Sequence, residues 1–197
     1  MRKFTDKKLV LATHNKGKLA EMRLMFAPYA IEIVSAGELN LAEPAETENT
    51  FIGNATIKAK AAVAATGLPV LADDSGLCIN GLNGDPGVYS ANWGGPAKNF
   101  KLAMDRVQKE LGDNSDRSAY FISVFVLAWP DGDIVTTEGR VTGTIIKDQR
   151  GDHGHGYDPI FVPDGETRTF AEMTMAEKGK FSHRARAFEN LISVSFK

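Results

Sequence analysis

The chain has 197 residues, 43% of them hydrophobic and 24% charged, a balance that lets it bury a sizeable core of its own. Its formal net charge of −2 supplies no global positive field, which argues against nucleic acid and acidic membranes as partners. One cysteine, Cys78, excludes an internal disulfide and a Cys-x-x-Cys metal site, and reads as a small buried thiol.

Residues 1–8 are basic, but the apolar run behind them, Leu9 to Ala12, is too short for a signal peptide or a membrane span. A cytoplasmic protein is the expectation, in which the sequon Asn54-Ala55-Thr56 has no role. Leu9 to Thr13 reads as a short buried strand. The loop Asn15-Lys16-Gly17 leads into a helix from about Lys18 to Phe26, with Leu19, Met22 and Phe26 on one face and Pro28 as its stop. Ile31 to Val34 is a second strand, followed by an acidic loop with Glu38, Glu43, Glu46 and Glu48. Thr50 is the expected N-cap of a long alanine-rich helix that Gly67 closes.

Val70-Leu71-Ala72 is a third strand that runs into Asp73-Asp74-Ser75-Gly76. Gly81, Gly84, Pro86 and Gly87 make the next stretch rich in turns. Phe100, Met104, Val107 and Leu111 recur at helical spacing, so Ala97 to Leu111 reads as an amphipathic helix that ends at Gly112. Ser118 to Trp129 is apolar on both faces. After the turn Pro130-Asp131-Gly132 the chain returns as a strand from Ile134 to Ile146, which predicts a hairpin at the centre of a sheet covered on both sides. Asp158 to Val162 is a further strand, and Ser182 is the expected N-cap of a last helix with Ala185, Phe188 and Ile192 inward. The class is α/β with a mixed sheet.

Four segments at element ends or in loops carry candidate chemistry. Thr13-His14-Asn15-Lys16-Gly17-Lys18 joins a strand to a helix, where free N–H groups and two lysines suit phosphates. It is not a Walker loop, and an ordinary Asn-capped turn is the alternative. Asp73 and Asp74 follow a buried strand, where two carboxylates repel and are costly to desolvate. A hard cation relieves both problems; an Asx-turn is the alternative. Glu46 is the best additional ligand, with Glu43 and Glu48 not excluded by spacing.

Gly154-His155-Gly156-Tyr157-Asp158-Pro159 could let a ligand approach the backbone and stack a base on His155 or Tyr157, or be a plain tight connection. His153 and His155 have no partner set with zinc-ligand spacing. Lys178 and Ser182-His183-Arg184 place positive charge at a helix start, against the dipole, which suits an anionic or polar ligand or else a capped helix with solvated side chains.

Taken together, in order and spacing, these pieces resemble the inosine/xanthosine triphosphate pyrophosphatase family. The matching segments are Thr13-x-Asn15-x-x-Lys18, Glu46-x-x-x-Thr50-Phe51-x-x-Asn54-Ala55-x-x-Lys58-Ala59, Leu71 to Gly76, Pro86 to Ala91, Gly156 to Phe161 and Ser182-His183-Arg184, nearly end to end. The resemblance implies one domain over residues 1–197, an elongated two-lobed α/β unit with a central mixed sheet flanked by helices and the active-site cleft between lobes. It implies a homodimer, and Mg2+-dependent hydrolysis of ITP, dITP and XTP to the monophosphate and pyrophosphate.

By resemblance, Thr13 to Lys18 (Thr13, His14, Asn15, Lys16, Gly17, Lys18) hold the triphosphate. Asp74 is the general base and a metal carboxylate, with Glu46 as the second. Ser75, His155, Gly156, Tyr157, Asp158, Lys178, His183 and Arg184 line the nucleotide site. Asn92 stands where relatives commonly carry Arg, and His155 where Phe is usual. The remaining alternatives are a pyrophosphatase for other modified triphosphates and a nucleotide-binding regulator without turnover.

Overall fold

The computed structural model describes residues 2–196. Its strands are β1 (Lys8–Leu11), β2 (Glu32–Ser35), β3 (Val70–Ile79), β4 (Ser118–Ala128), β5 (Ile134–Ile145) and β6 (Phe161–Pro163). Its helices are α1 (Lys16–Phe26), α2 (Phe51–Thr66), α3 (Phe100–Leu111), α4 (Met175–Lys178) and α5 (His183–Leu191). The strands form one six-stranded sheet in the order β2-β1-β3-β4-β5-β6. β1 runs parallel to β2 and β3, and β5 antiparallel to β6, so the fold is the mixed α/β sheet expected.

The chain packs as two compact units. The first comprises Met1–Asp74, Ser123–Gly139 and Ala185–Lys197. Alternation along its strands sends side chains to opposite faces. Leu9, Leu11 and Leu71 meet Met22 and Phe26 of α1 and Leu191 of α5 on one face. Val10, Val70 and Ala72 meet Ala55, Ala59 and Ala62 of α2 on the other. Helix α2 is bounded as expected: the Thr50 hydroxyl accepts the Gly53 N–H at 3.1 Å, and Gly67 takes a left-handed φ of 64°. Helix α1 starts two residues earlier than the pattern suggested, because the Asn15 side chain caps it.

The second unit comprises Ser75–Ile122 and Arg140–Arg184. Its core joins Leu77 and Ile79 of β3 to Met104, Val107 and Leu111 of α3, with Phe121, Phe161 and Phe170. Helix α3 begins at Phe100 rather than Ala97, since Asn99 accepts the N–H groups of Lys101 and Leu102.

Three expectations change. The strand expected over Val70-Leu71-Ala72 does not end there; β3 runs on through Asp73-Asp74-Ser75-Gly76 to Ile79, so the alternative Asx-turn does not form. Asp158–Ile160 is a 3₁₀ turn, because Pro159 has no N–H for a ladder, and only Phe161–Pro163 pairs with β5. Strand β4 is buried on both faces from Phe121 to Ala128, but β5 alternates buried and exposed residues, so the hairpin is not covered on both sides throughout. The short helix α4, capped by Thr174 and Glu177, was not anticipated.

Candidate functional site

The strand through the aspartates decides their chemistry. Adjacent strand residues point to opposite faces, so Asp73 and Asp74 do not act as one carboxylate pair. Each meets a lysine from a different helix. Lys18, in the first turn of α1, lies 2.8 Å from Asp73 Oδ2. Lys58, on the alanine face of α2, lies 3.4 Å from Asp74 Oδ1 and 2.7 Å from Glu46 Oε1. Asp73, read from sequence as half of a carboxylate pair, instead holds Lys18 of the segment expected to meet phosphates.

Asp74 is 7% exposed, and its second oxygen, Oδ2, is buried without a hydrogen-bond partner. Burial pushes its carboxyl up to about 6, against the pull of Lys58. For Lys58 burial works the other way, but Asp74, Asp73 and Glu46 outweigh it and hold the ammonium above the usual lysine range. The result is a carboxylate poised to take a proton near neutral pH, with one oxygen steadied by Lys58 and the other buried without a partner.

Among the described residues no three His, Cys, Asp or Glu side chains stand together as a metal cage. The protein can still offer one or two carboxylates, from Asp74 and Glu46, and the orphaned Asp74 Oδ2 suits a small hard cation. Such ions are commonly held by one or two carboxylates together with substrate phosphates and water.

In the loop before α1, the Thr13 hydroxyl accepts the Asn15 N–H at 3.1 Å. Asn15 Oδ1 in turn accepts the N–H groups of Gly17 and Lys18, at 2.9 and 3.1 Å. Those two amides are engaged within the protein, so the loop meets an anion chiefly through its lysines. Lys16 is exposed, and both lysines sit at the positive end of the helix dipole with no acidic residue in the first turn. His14 is exposed and its ring turns to the carbonyl of Leu41.

The remaining candidates belong to the second unit. Asp158 is 1% exposed and accepts from Lys178 Nζ at 2.5 Å and from the His155 N–H at 2.9 Å. Gly154 makes room for this carboxylate: at its φ of 75°, a Cβ would fall 2.1 Å from Asp158 Oδ2. Tyr157 is 2% exposed, donates its hydroxyl to the Ser90 carbonyl at 2.6 Å and packs edge-on against Phe100. Burial raises its phenol. Of the two stacking candidates, His155 is the exposed one.

His183 and Arg184 are not solvated helix-end charges; they are 5% and 1% exposed. The His183 ring stacks on Phe121 at 5.0 Å, and Arg184 Nη2 lies 3.4 Å from Ser75 Oγ. Asn92 is exposed. Sequence reasoning assigned no role to Lys58. Its signal was available: a lysine on the apolar stripe of a helix, between Ala55 and Ala62, has to be paired there.

The Ham1 family model matches residues 9–194. The dITP/XTP pyrophosphatase of Gluconobacter oxydans is 57% identical over 98% of this chain and 94% of its own length. That of Caulobacter vibrioides is 52% identical over 96% of this chain and 98% of its own. The solved structure of the Staphylococcus aureus Ham1 protein superposes with a TM-score of 0.86 at 34% identity, covering 95% of this chain and 97% of that one. The dITP/XTP pyrophosphatase of Mycobacterium abscessus does so with a TM-score of 0.77 at 41% identity, covering 94% and 98%.

Proposed function

The chain belongs to the Ham1 family, and from that footing we infer that it hydrolyses the non-standard purine triphosphates ITP, dITP and XTP to the monophosphate and pyrophosphate. The observation that carries the chemistry is the Lys58-bridged pair of Asp74 and Glu46, joined through Asp73 and Lys18 to the loop before α1.

The reaction is attack of water on the α-phosphorus. The water oxygen bonds to phosphorus as the bond to the bridging oxygen breaks, and pyrophosphate leaves with that electron pair. The Asp74 carboxylate accepts the water's proton, while Lys58 fixes Oδ1 and keeps the group from turning. Lys16 and Lys18 bind the phosphates and spread their charge. A divalent cation, proposed to be magnesium, would be held by Asp74 and Glu46 and would neutralise phosphate charge when bound.

Base choice is assigned to His183 and Arg184, with Ser75 beside Arg184 and the exposed His155 as a stacking surface. A 6-oxopurine presents an acceptor at position 6, whereas adenine presents a donor, so donors here accept the first and leave the second unpaired. Hydrogen-bonding sites discriminate strongly, by roughly 10⁴-fold in favourable cases. His183→Ala or Arg184→Ala is expected to lower the ITP-over-ATP preference in kcat/KM by at least about tenfold. An equal loss on both nucleotides would remove these residues from base recognition.

Residues 1–197 are proposed to act as one catalytic domain, as a homodimer in the cytoplasm; light scattering of the purified protein tests the dimer. Among the described residues no helix is long and apolar enough to cross a membrane. The test of the reaction is product analysis across the common, deaminated and pyrimidine triphosphates, with and without magnesium. Pyrophosphate from ITP, dITP and XTP, dependent on the metal, is the expected result. Preference for a modified pyrimidine, or tight ITP binding without product, would overturn it.

A further inference from the structure

We propose that His14 is a positioning residue: its ring fastens the acidic loop to the loop before α1 and thereby sets where Glu46 stands. This rests on the active-site reading above.

Between Ser35 and Phe51 the chain forms neither helix nor strand. Its first part is a tied turn, with Leu39 N–H on Ser35 O at 3.1 Å and Leu41 N–H on Ala36 O at 2.9 Å. That turn docks on the neighbouring loop through Ala36 N–H to Leu11 O at 2.8 Å and Gly37 N–H to Thr13 O at 3.3 Å. Farther on, Glu46 is caught by Lys58, and the Glu48 N–H donates to Asn54 Oδ1 at 3.0 Å.

Between these anchors the chain crosses open space. A cavity of about 240 Å³ lies here, with Ala42, Glu43 and Pro44 on the loop side and Ala61, Ala62 and Ala65 of α2 opposite. A segment with few contacts beneath it takes its path from its end tethers rather than from packing. His14 supplies one of the tethers at the start of the span, beside the packing of the Leu41 side chain against the α2 face and its N–H on Ala36 O. Its Nε2 lies 2.8 Å from the Leu41 carbonyl, and a carbonyl can only accept, so Nε2 carries the proton and donates. Leu41 is the last residue before the span that ends at Glu46.

His14 thus links the loop that receives the triphosphate to the loop that carries the second metal-side carboxylate. Its backbone stays with the phosphates while its ring acts on Glu46 through Leu41. The ring's effect should appear in turnover and in loop order, not in nucleotide affinity, because Asn15, Lys16 and Lys18 are untouched by it.

The experiment compares the parent with His14→Ala and His14→Gln, whose side-chain amide can still donate. His14→Ala is expected to lower kcat about fivefold, the scale of one lost hydrogen bond, with KM for ITP within about twofold. The magnesium concentration for half-maximal rate should rise. In the metal-free protein, amide hydrogen exchange at Leu41, whose N–H is held on Ala36 O, should accelerate while that of α2 does not. His14→Gln should restore most of each effect, and adding His14→Ala to Glu46→Gln should cost little more.

A rise in KM at unchanged kcat would overturn the proposal by placing the ring on the phosphates. So would unchanged exchange at Leu41, an additive loss with Glu46→Gln, or a lower thermal midpoint with kinetics intact. If the parent releases no pyrophosphate from any triphosphate, the active-site reading fails separately, and exchange in the metal-free protein still decides whether His14 tethers the loop.

Discussion

Asp74→Asn is expected to cut turnover on ITP by about 10³-fold, within the range that a positioned general base contributes, while ITP binding stays within a few-fold of the parent. The asparagine keeps the shape of the side chain and its place against Lys58, but its amide cannot take the proton of the attacking water. Pyrophosphate release measures the first effect and calorimetric titration the second. Turnover within tenfold of the parent would remove Asp74 as the base.

The pH profile gives an independent check. Burial pushes the Asp74 carboxyl up to about 6, so the ionised fraction falls as pH drops below that value. The acid limb of kcat/KM, which reports the free enzyme, should lose about tenfold per pH unit below it. A bound divalent cation favours the ionised form, so saturating magnesium should move the limb to lower pH.

Stability carries the same shift with a definite sign. The folded carboxyl holds its proton more tightly than the unfolded one, whose ordinary value is 3.8. Its contribution is therefore fully present below that value and is lost as pH rises through about 6. The stability of the parent relative to Asp74→Asn should improve as pH falls from 7.5 to 5, measured by urea unfolding at each pH.

The second large effect is on folding. Lys178→Met is expected to cost about 3–5 kcal/mol, because it strands the Asp158 carboxylate in an interior it can tolerate only when paired. For a chain of this size that lowers the thermal midpoint by on the order of 10 °C. Lys178 and Asp158 have side-chain exposures of 9% and 2%, and the ammonium also lies 5.0 Å from the ring of Phe170.

Adding Asp158→Asn to Lys178→Met should recover part of the loss, since the uncompensated charge disappears while the His155 N–H keeps an acceptor. A double variant no more stable than Lys178→Met would place the cost in packing around the lysine. The pair also ties His155 to α4, so loss of ITP turnover should accompany the loss of stability. Asp158 serves this assembly as the point where the glycine-rich loop and Lys178 meet.

Much of this is legible in the amino-acid sequence. Helix α2 was bounded correctly because Thr50 and Gly67 act locally: a hydroxyl within one turn, and a backbone angle that glycine adopts without strain. The lysines in the first turn of α1 and the aspartates after Val70-Leu71-Ala72 stood out because their charges oppose the dipole or burial their positions impose. Their order and spacing then carried the family resemblance, which supplied their roles.

Other features were hidden for stated reasons. Ser75-Gly76 carries turn chemistry, and only pairing with neighbouring strands keeps β3 extended through it. Once extended, the strand's period sends Asp73 toward α1 and Asp74 toward α2. Tyr157 looked available for stacking because an aromatic after glycines is compatible with either burial or exposure; its contact with Ser90, 67 residues away in sequence, decides for burial.

By itself, the sequence determined the α/β class, the helix ends set by local caps, and the residue types from which a phosphate-handling, acid-bearing site could be made. Those properties depend on neighbours within a turn or on the period of a pattern. The tertiary structure alone decided which charge answers which: Lys18 to Asp73, Lys58 to Asp74 and Glu46, Lys178 to Asp158. These pairings are made across the fold, between groups 12 to 55 residues apart in sequence. Their strength comes from burial, which does not exist until the helices have packed against the sheet.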